Sequence, residues 1–194
     1  MSTDTSRPTP SSCEVRIAPV PPPDRSPLQR RLLEPVRGDR AGNVFATLVA
    51  HPKMFEAWLP FCLHLMRCHE FTARRREMVI LRTAWLSGAQ YEWAHHVRFA
   101  LRSGLSEDEI DALSGNLTAD WTDEERALLD AVDELHATHT LTDATWNRLA
   151  AFLDIEQLIV LPMLVGHYIM LAGTLNALGV AIDDYAADPE GSKP

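Results

Sequence analysis

Between Leu158 and Ile182 the chain carries no Asp, Glu, Lys or Arg. A run of that length must be covered by lipid, by the rest of the chain or by another subunit, because apolar surface left in water is costly. As a membrane span it has the wrong interior and the wrong flanks. Pro162, Gly166, His167, Gly173, Thr174 and Asn176 interrupt it, and no Lys/Arg cluster adjoins it. Asp154 and Gln157 supply instead the start of a soluble-type helix. The run predicts a buried central helix with Pro162 as a kink point and part of its surface covered between subunits.

The sequence before it is helical almost throughout. Pro52 suits a first helical position, and Phe55, Trp58, Leu59, Cys62, Leu65 and Met66 follow at helical spacing. Thr72 caps a helix whose apolar residues Met78, Val79, Leu81, Ala84 and Trp85 run to a stop at Gly88, and another helix runs from near Gln90 to Gly104. Ser106 with Glu109, and Thr122 with Glu125, spell capping boxes. Leu128, Ala131, Val132 and Leu135 stripe the helix after Thr122, and Trp146, Leu149 and Leu153 mark the next. No alternating run is long enough for a strand, so the expected class is all-α. Glu77 to Leu81 leading to Gly88 also echoes Glu156 to Val160 leading to Gly166, the pattern of a duplicated helical hairpin.

The ends read differently. Pro8, Pro10, Pro19, Pro21, Pro22, Pro23, Pro27 and Pro35 crowd the first 35 residues. Proline lacks a backbone donor and biases its predecessor to extended conformations, which predicts a non-helical stretch. The expected organisation is a disordered or surface-draped leader over residues 1–38, one helical domain over 39–182 and an acidic tail over 183–194. No apolar signal-peptide core is present in the leader. Acids outnumber bases 27 to 18, a net charge of −9, which argues against nucleic acid and anionic membrane as partners. Cys13, Cys62 and Cys68 form no CxxC and no even set, so neither a disulfide framework nor a zinc ribbon is indicated; a reducing, cytoplasmic setting is expected.

The chemistry concentrates between Glu77 and His96. Two helices joined at Gly88 make a helical hairpin. Glu77 lies about three turns before the bend and His96 about two turns after it, so the two are roughly level across the pair. Glu92 and His96 share a face at i,i+4. Two carboxyls and an imidazole beside Tyr91 and Trp93 are the parts needed to move protons in a partly dry pocket. Spacing alone is equally compatible with a solvated Glu–His pair on a helix surface.

Arg76-Glu77 through Arg82, then Tyr91-Glu92-Trp93-Ala94-His95-His96-Val97 and Gly104-Leu105-Ser106, resemble the carboxymuconolactone decarboxylase family, which includes the alkyl hydroperoxidase D proteins. The similarity extends from about Val44 to Val180 and takes in Asp133-Glu134-Leu135-His136 and Gly166-His167-Tyr168. It implies an all-helical fold and a homo-oligomer, a trimer or hexamer. The peroxidase branch of that family places two cysteines where this chain has Ala89 and Glu92, and neither can supply a thiolate. The resemblance therefore points to the decarboxylase branch and to cofactor-free acid–base catalysis on a small carbonyl compound, with no metal. In that reading His96 donates or shuttles the proton, Glu77 orients and polarises it, and Glu92 is a second acid–base group. Arg82 would hold a substrate carboxylate or else pair with Glu77, while Tyr91, His95 and Trp93 would contact substrate or wall the pocket.

Two alternatives stay open. Glu92-x-x-His95 and Asp133-x-x-His136 have the acid–His spacing of di-iron bundles, with Glu77 and Glu134 as the further carboxylates such a centre needs. A catalytically silent oligomer that binds a ligand through the hairpin is the other.

Overall fold

A computed structural model describes residues 14–67 and 69–184. Every regular element among them is helical. The α-helices are α1 (Pro27–Leu33), α2 (Asn43–Leu48), α3 (Pro52–Met66), α4 (Ala73–Leu86), α5 (Gln90–Arg102), α6 (Glu107–Leu113), α7 (Asp123–Thr138), α8 (Asp143–Ala150) and α9 (Ile155–Leu178). They divide between two compact units, one holding residues 69–173 and the other 14–67 with 174–184.

In the first unit the local signals act as the sequence implies. Thr72 accepts the Arg75 amide at the head of α4. Both capping boxes form, at Ser106/Glu109 and Thr122/Glu125. Gly88, at φ +60°, ends α4, and the Ala89 amide reaches back 2.8 Å to the Ala84 carbonyl. That left-handed turn, cheap only for glycine, reverses the chain into α5. The helix at the centre is α4, buried on every side from Glu77 to Ala84. Met78 and Leu81 pack with Ala100, Leu105, Ile110, Leu113, Leu117 and Leu129, and Trp93, Val97 and Trp121 cover that cluster. Each fully buried Leu or Met among them contributes about 1.5–3 kcal/mol.

The uncharged run is buried on one face only within this chain. By length and composition α9 could cross a membrane, and one face is buried through Leu161, Leu164, Val165, Tyr168 and Ala172. Ile155, Ile159, Met163 and Met170 on the other face are exposed, Ile155 by 76%. The run is thus amphipathic by burial though not by polarity, and α4 takes the central place assigned to it. Pro162 lies inside one unbroken helix. Gly166 lies inside it too, without the positive φ of Gly88, so the echoed segments are not equivalent hairpins.

The second unit corrects the reading of the leader. Within residues 1–38, α1 forms at Pro27 because Ser26 and Gln29 make a capping box and proline fits the first helical position. Leu33 and Val36 are buried with Val49, Phe55 and Leu59, and the Arg25 side chain is buried against the Val20 and Gly38 carbonyls. Residues 14–38 are therefore ordered and anchored at Arg25, Leu33 and Val36, while most of the segment lies exposed along the surface. At Gly179, φ +65°, a Cβ would stand 2.4 Å from the Glu14 carbonyl oxygen, and Arg16 binds the Leu178 and Ala177 carbonyls beside it. Residues 1–13 and most of the acidic tail, 185–194, lie outside the described residues.

Candidate functional site

The turn at Gly88 sets α5 against α4, and His96 Nδ1 donates to Glu77 Oε2 at 2.7 Å. Both residues are buried. Arg76 Nε donates to the other Glu77 oxygen at 3.2 Å. With its proton on Nδ1, the imidazole presents an Nε2 lone pair, and the Tyr168 hydroxyl of α9 donates to it at 3.3 Å. The Tyr168 ring stands at 85° to the imidazole, and the exposed Phe99 meets the same ring edge-on at 5.6 Å. A carboxyl on Nδ1 fixes the tautomer and steadies the imidazolium that forms when Nε2 takes a proton, so the pair can accept a proton and return it.

Glu92 is buried one turn before His96 on α5, and neither of its oxygens has a hydrogen-bond partner among the described residues. Burial pushes its carboxyl well above the usual carboxylate range. Leaving such a group unsatisfied costs about 1–3 kcal/mol. His167 is buried next to Tyr168, with ring centroids 5.4 Å apart. Burial lowers its pKa to about 4, which makes it a neutral imidazole at neutral pH.

The remaining expected residues divide. Arg82 is clamped by Asp133 at 2.7 and 2.9 Å and donates to the Leu113 and Gly115 carbonyls. Its carboxylate partner within the chain is Asp133 and not Glu77, because α7 brings Asp133 to it. Trp93 packs on the core cluster and against Trp85 at 5.6 Å, so it serves as wall. Tyr91 is buried with its ring 4.3 Å from that of His95. The di-iron alternative loses two of its acids: Asp133 is held by Arg82, and Glu134 binds Thr142 and Thr145 at the head of α8. Among the described residues no group of three or more His, Cys, Asp or Glu could hold a metal. Ala89 caps the start of α5 and Glu92 lies in its first turn, and Cys62 is buried in α3 beside Met66.

Tyr168 is the residue that motif spacing missed as a site member. Its signal was present in Gly166-His167-Tyr168, but its position against His96 depends on a contact 72 residues away in sequence.

Residues 52–134 match the model of the carboxymuconolactone decarboxylase family. That segment contains Glu77, Glu92 and His96 but stops short of Tyr168. No curated protein matches the chain. An uncharacterized peroxidase-related protein from Ralstonia eutropha, described as an alkylhydroperoxidase AhpD core, is 21% identical, with 88% of this chain and 94% of that one covered and a TM-score of 0.70. A peroxidase-related protein from Silicibacter is 15% identical over 89% of this chain and 94% of its own, with a TM-score of 0.73. The debrominase Bmp8, solved with 2,3,4-tribromopyrrole, is 18% identical over 89% and 94%, with a TM-score of 0.64. At these identities the likeness establishes the fold.

Proposed function

We propose that this chain, whose residues 52–134 match the carboxymuconolactone decarboxylase family model and whose fold resembles alkyl hydroperoxidase D-like structures, is a cofactor-free acid–base enzyme acting on a small carbonyl compound, a lactone or keto acid. The observation that carries this reading is the buried 2.7 Å contact between Glu77 and His96. His96 Nε2 accepts and returns a proton at a carbon beside the carbonyl, Glu77 holds the imidazolium, and Glu92 is the second acid. The negative charge that develops on the substrate oxygen needs such a donor nearby. In the decarboxylation for which the family is named, the electrons of the broken C–C bond would pass into the conjugated carbonyl, and His96 would protonate the carbon. Thiol peroxidase chemistry would require thiolates where the start of α5 has Ala89 at its cap and Glu92 in its first turn.

A homo-oligomer in a cytoplasmic setting belongs to the same proposal. The exposed apolar face of α9 at Ile155, Ile159, Met163 and Met170 supports a second copy as its cover. The function is tested by assaying turnover of lactones and keto acids with His96→Gln. A general acid–base group contributes about 10²–10⁴-fold, and the variant should lose that much with its melting temperature nearly unchanged. Full activity in His96→Gln would refute the reading.

A further inference from the structure

Beside the Glu77–His96 pair one carboxyl has nothing to bind. Glu92 shares the His96 face of α5 one turn earlier, is 2% exposed, and neither oxygen has a hydrogen-bond partner among the described residues. Buried carboxyls are ordinarily partnered, as Glu77 and Glu125 are here. The two arginines of α4 nearest the pair in sequence are committed elsewhere, Arg76 to Glu77 and Arg82 to Asp133. A carboxyl so placed sheds its charge in preference to standing as a bare buried anion. The direction of its titration agrees, since burial is what raises it. An uncharged carboxyl offers one O–H donor, and the natural complement of that donor is a carbonyl oxygen. A ligand carboxylate would instead bring an anion against Glu92, to which no arginine or lysine is paired among the described residues.

We propose that Glu92 is the substrate-contacting hydrogen-bond donor of the site and selects an uncharged carbonyl ligand, so that the Glu77–His96 pair works on a neutral ketone, ester or lactone and not on a keto-acid anion. This rests on the acid–base reading above and narrows its substrate class. His96 Nε2 removes a proton from the carbon beside the carbonyl. The C–H electron pair becomes a carbon–carbon double bond, the carbonyl π pair moves onto oxygen, and the Glu92 O–H binds that oxygen. The imidazolium then returns its proton to the same carbon or to one conjugated with it. No CO₂ leaves and no oxidant is needed.

Infrared spectroscopy reads Glu92 directly. At neutral pH the wild-type protein minus Glu92→Gln should show the carbonyl stretch of an unpaired carboxylic acid. Methyl 4-oxopentanoate should shift that band, and its anionic counterpart 4-oxopentanoate should not. The ester should also bind about tenfold or more tightly than the anion. Glu92→Gln should keep that preference, because an amide still donates, and Glu92→Ala should lose it. Absence of the acid band, a band that neither probe moves, or equal or tighter binding of the anion would each overturn the proposal. Deuterium exchange beside the ester's ketone, followed by NMR in wild type and His96→Gln, tests the acid–base reading separately. If exchange depends on His96 while the band is absent, only the Glu92 assignment falls. If the band shifts but exchange ignores His96, the acid–base reading falls and the ligand contact stands.

Discussion

Two acid clusters in the same unit obey opposite rules. At the head of α4, Arg74 binds Glu109 of α6 at 2.5 and 3.1 Å and Glu125 of α7 at 2.8 Å. The same carboxyls cap their own helices through Ser106 and Thr122. Arg74 draws Glu109 down to about 2. Burial works to raise Glu125, but Arg74 and Thr122 outweigh it and the net direction is down. Farther along the unit, Glu92 is buried with its oxygens unanswered and is pushed the other way. The difference separates acids whose charges are answered within the chain from the one acid whose oxygens are not, and an unanswered buried acid is the kind of group the proposed ligand contact needs.

The largest expected effect on stability comes from breaking the satisfied cluster. Arg74→Met leaves Glu109 and Glu125 without their cation and should cost about 2–3 kcal/mol near neutral pH, while turnover per folded molecule stays unchanged. Glu109 has a folded pKa below its unfolded one, so the unfolded chain binds more protons between the two values. Its stabilisation is complete above the unfolded value of 4.5 and is lost as pH falls towards about 2. Thermal melts across that window should slope steeply in the wild type and shallowly in Arg74→Met. Equal slopes would remove the contrast.

A smaller effect of opposite sign belongs to Glu92. Its folded pKa lies above the unfolded 4.5, so the folded chain keeps a proton that the unfolded chain releases, and stability falls as pH rises past that point. Glu92→Gln should melt a few degrees higher than wild type at mildly alkaline pH and no higher below the unfolded value. A variant less stable than wild type at every pH would place Glu92 among the structural acids. Smallest is Tyr168→Phe, which deletes one 3.3 Å hydrogen bond to His96. A neutral hydrogen bond contributes about 0.5–1.5 kcal/mol, so turnover should fall by about tenfold at most, with the melting temperature held.

What the sequence revealed follows the range of the interactions. Caps at Thr72, Ser106 and Thr122 act over three residues, and each formed where the letters placed it. The Glu77–His96 contact was legible for a related reason, since one glycine turn and the helical rise fix the register across a hairpin. Arg82 with Asp133, 51 residues apart, and Tyr168 with His96 depend on how α7 and α9 pack, and no local pattern encodes that. The helix at Pro27–Leu33 was hidden for another reason. Counting prolines masked Ser26, Pro27 and Gln29, a helix start in which proline is favourable. In α9 the absence of charge concealed the difference between a buried and an exposed face, because both are apolar.

The central claim is that Glu77 and His96 act as one proton-transfer unit. It is tested most directly by turnover in His96→Gln, Glu77→Gln and the double variant, each normalised to folded protein. Residues that act together lose their effect together. Each single change should lower turnover by about 10²–10⁴-fold, with the double variant little worse than either one and all three melting near the wild type. Losses that multiply in the double variant, or loss of stability with turnover per folded molecule preserved, would contradict the account.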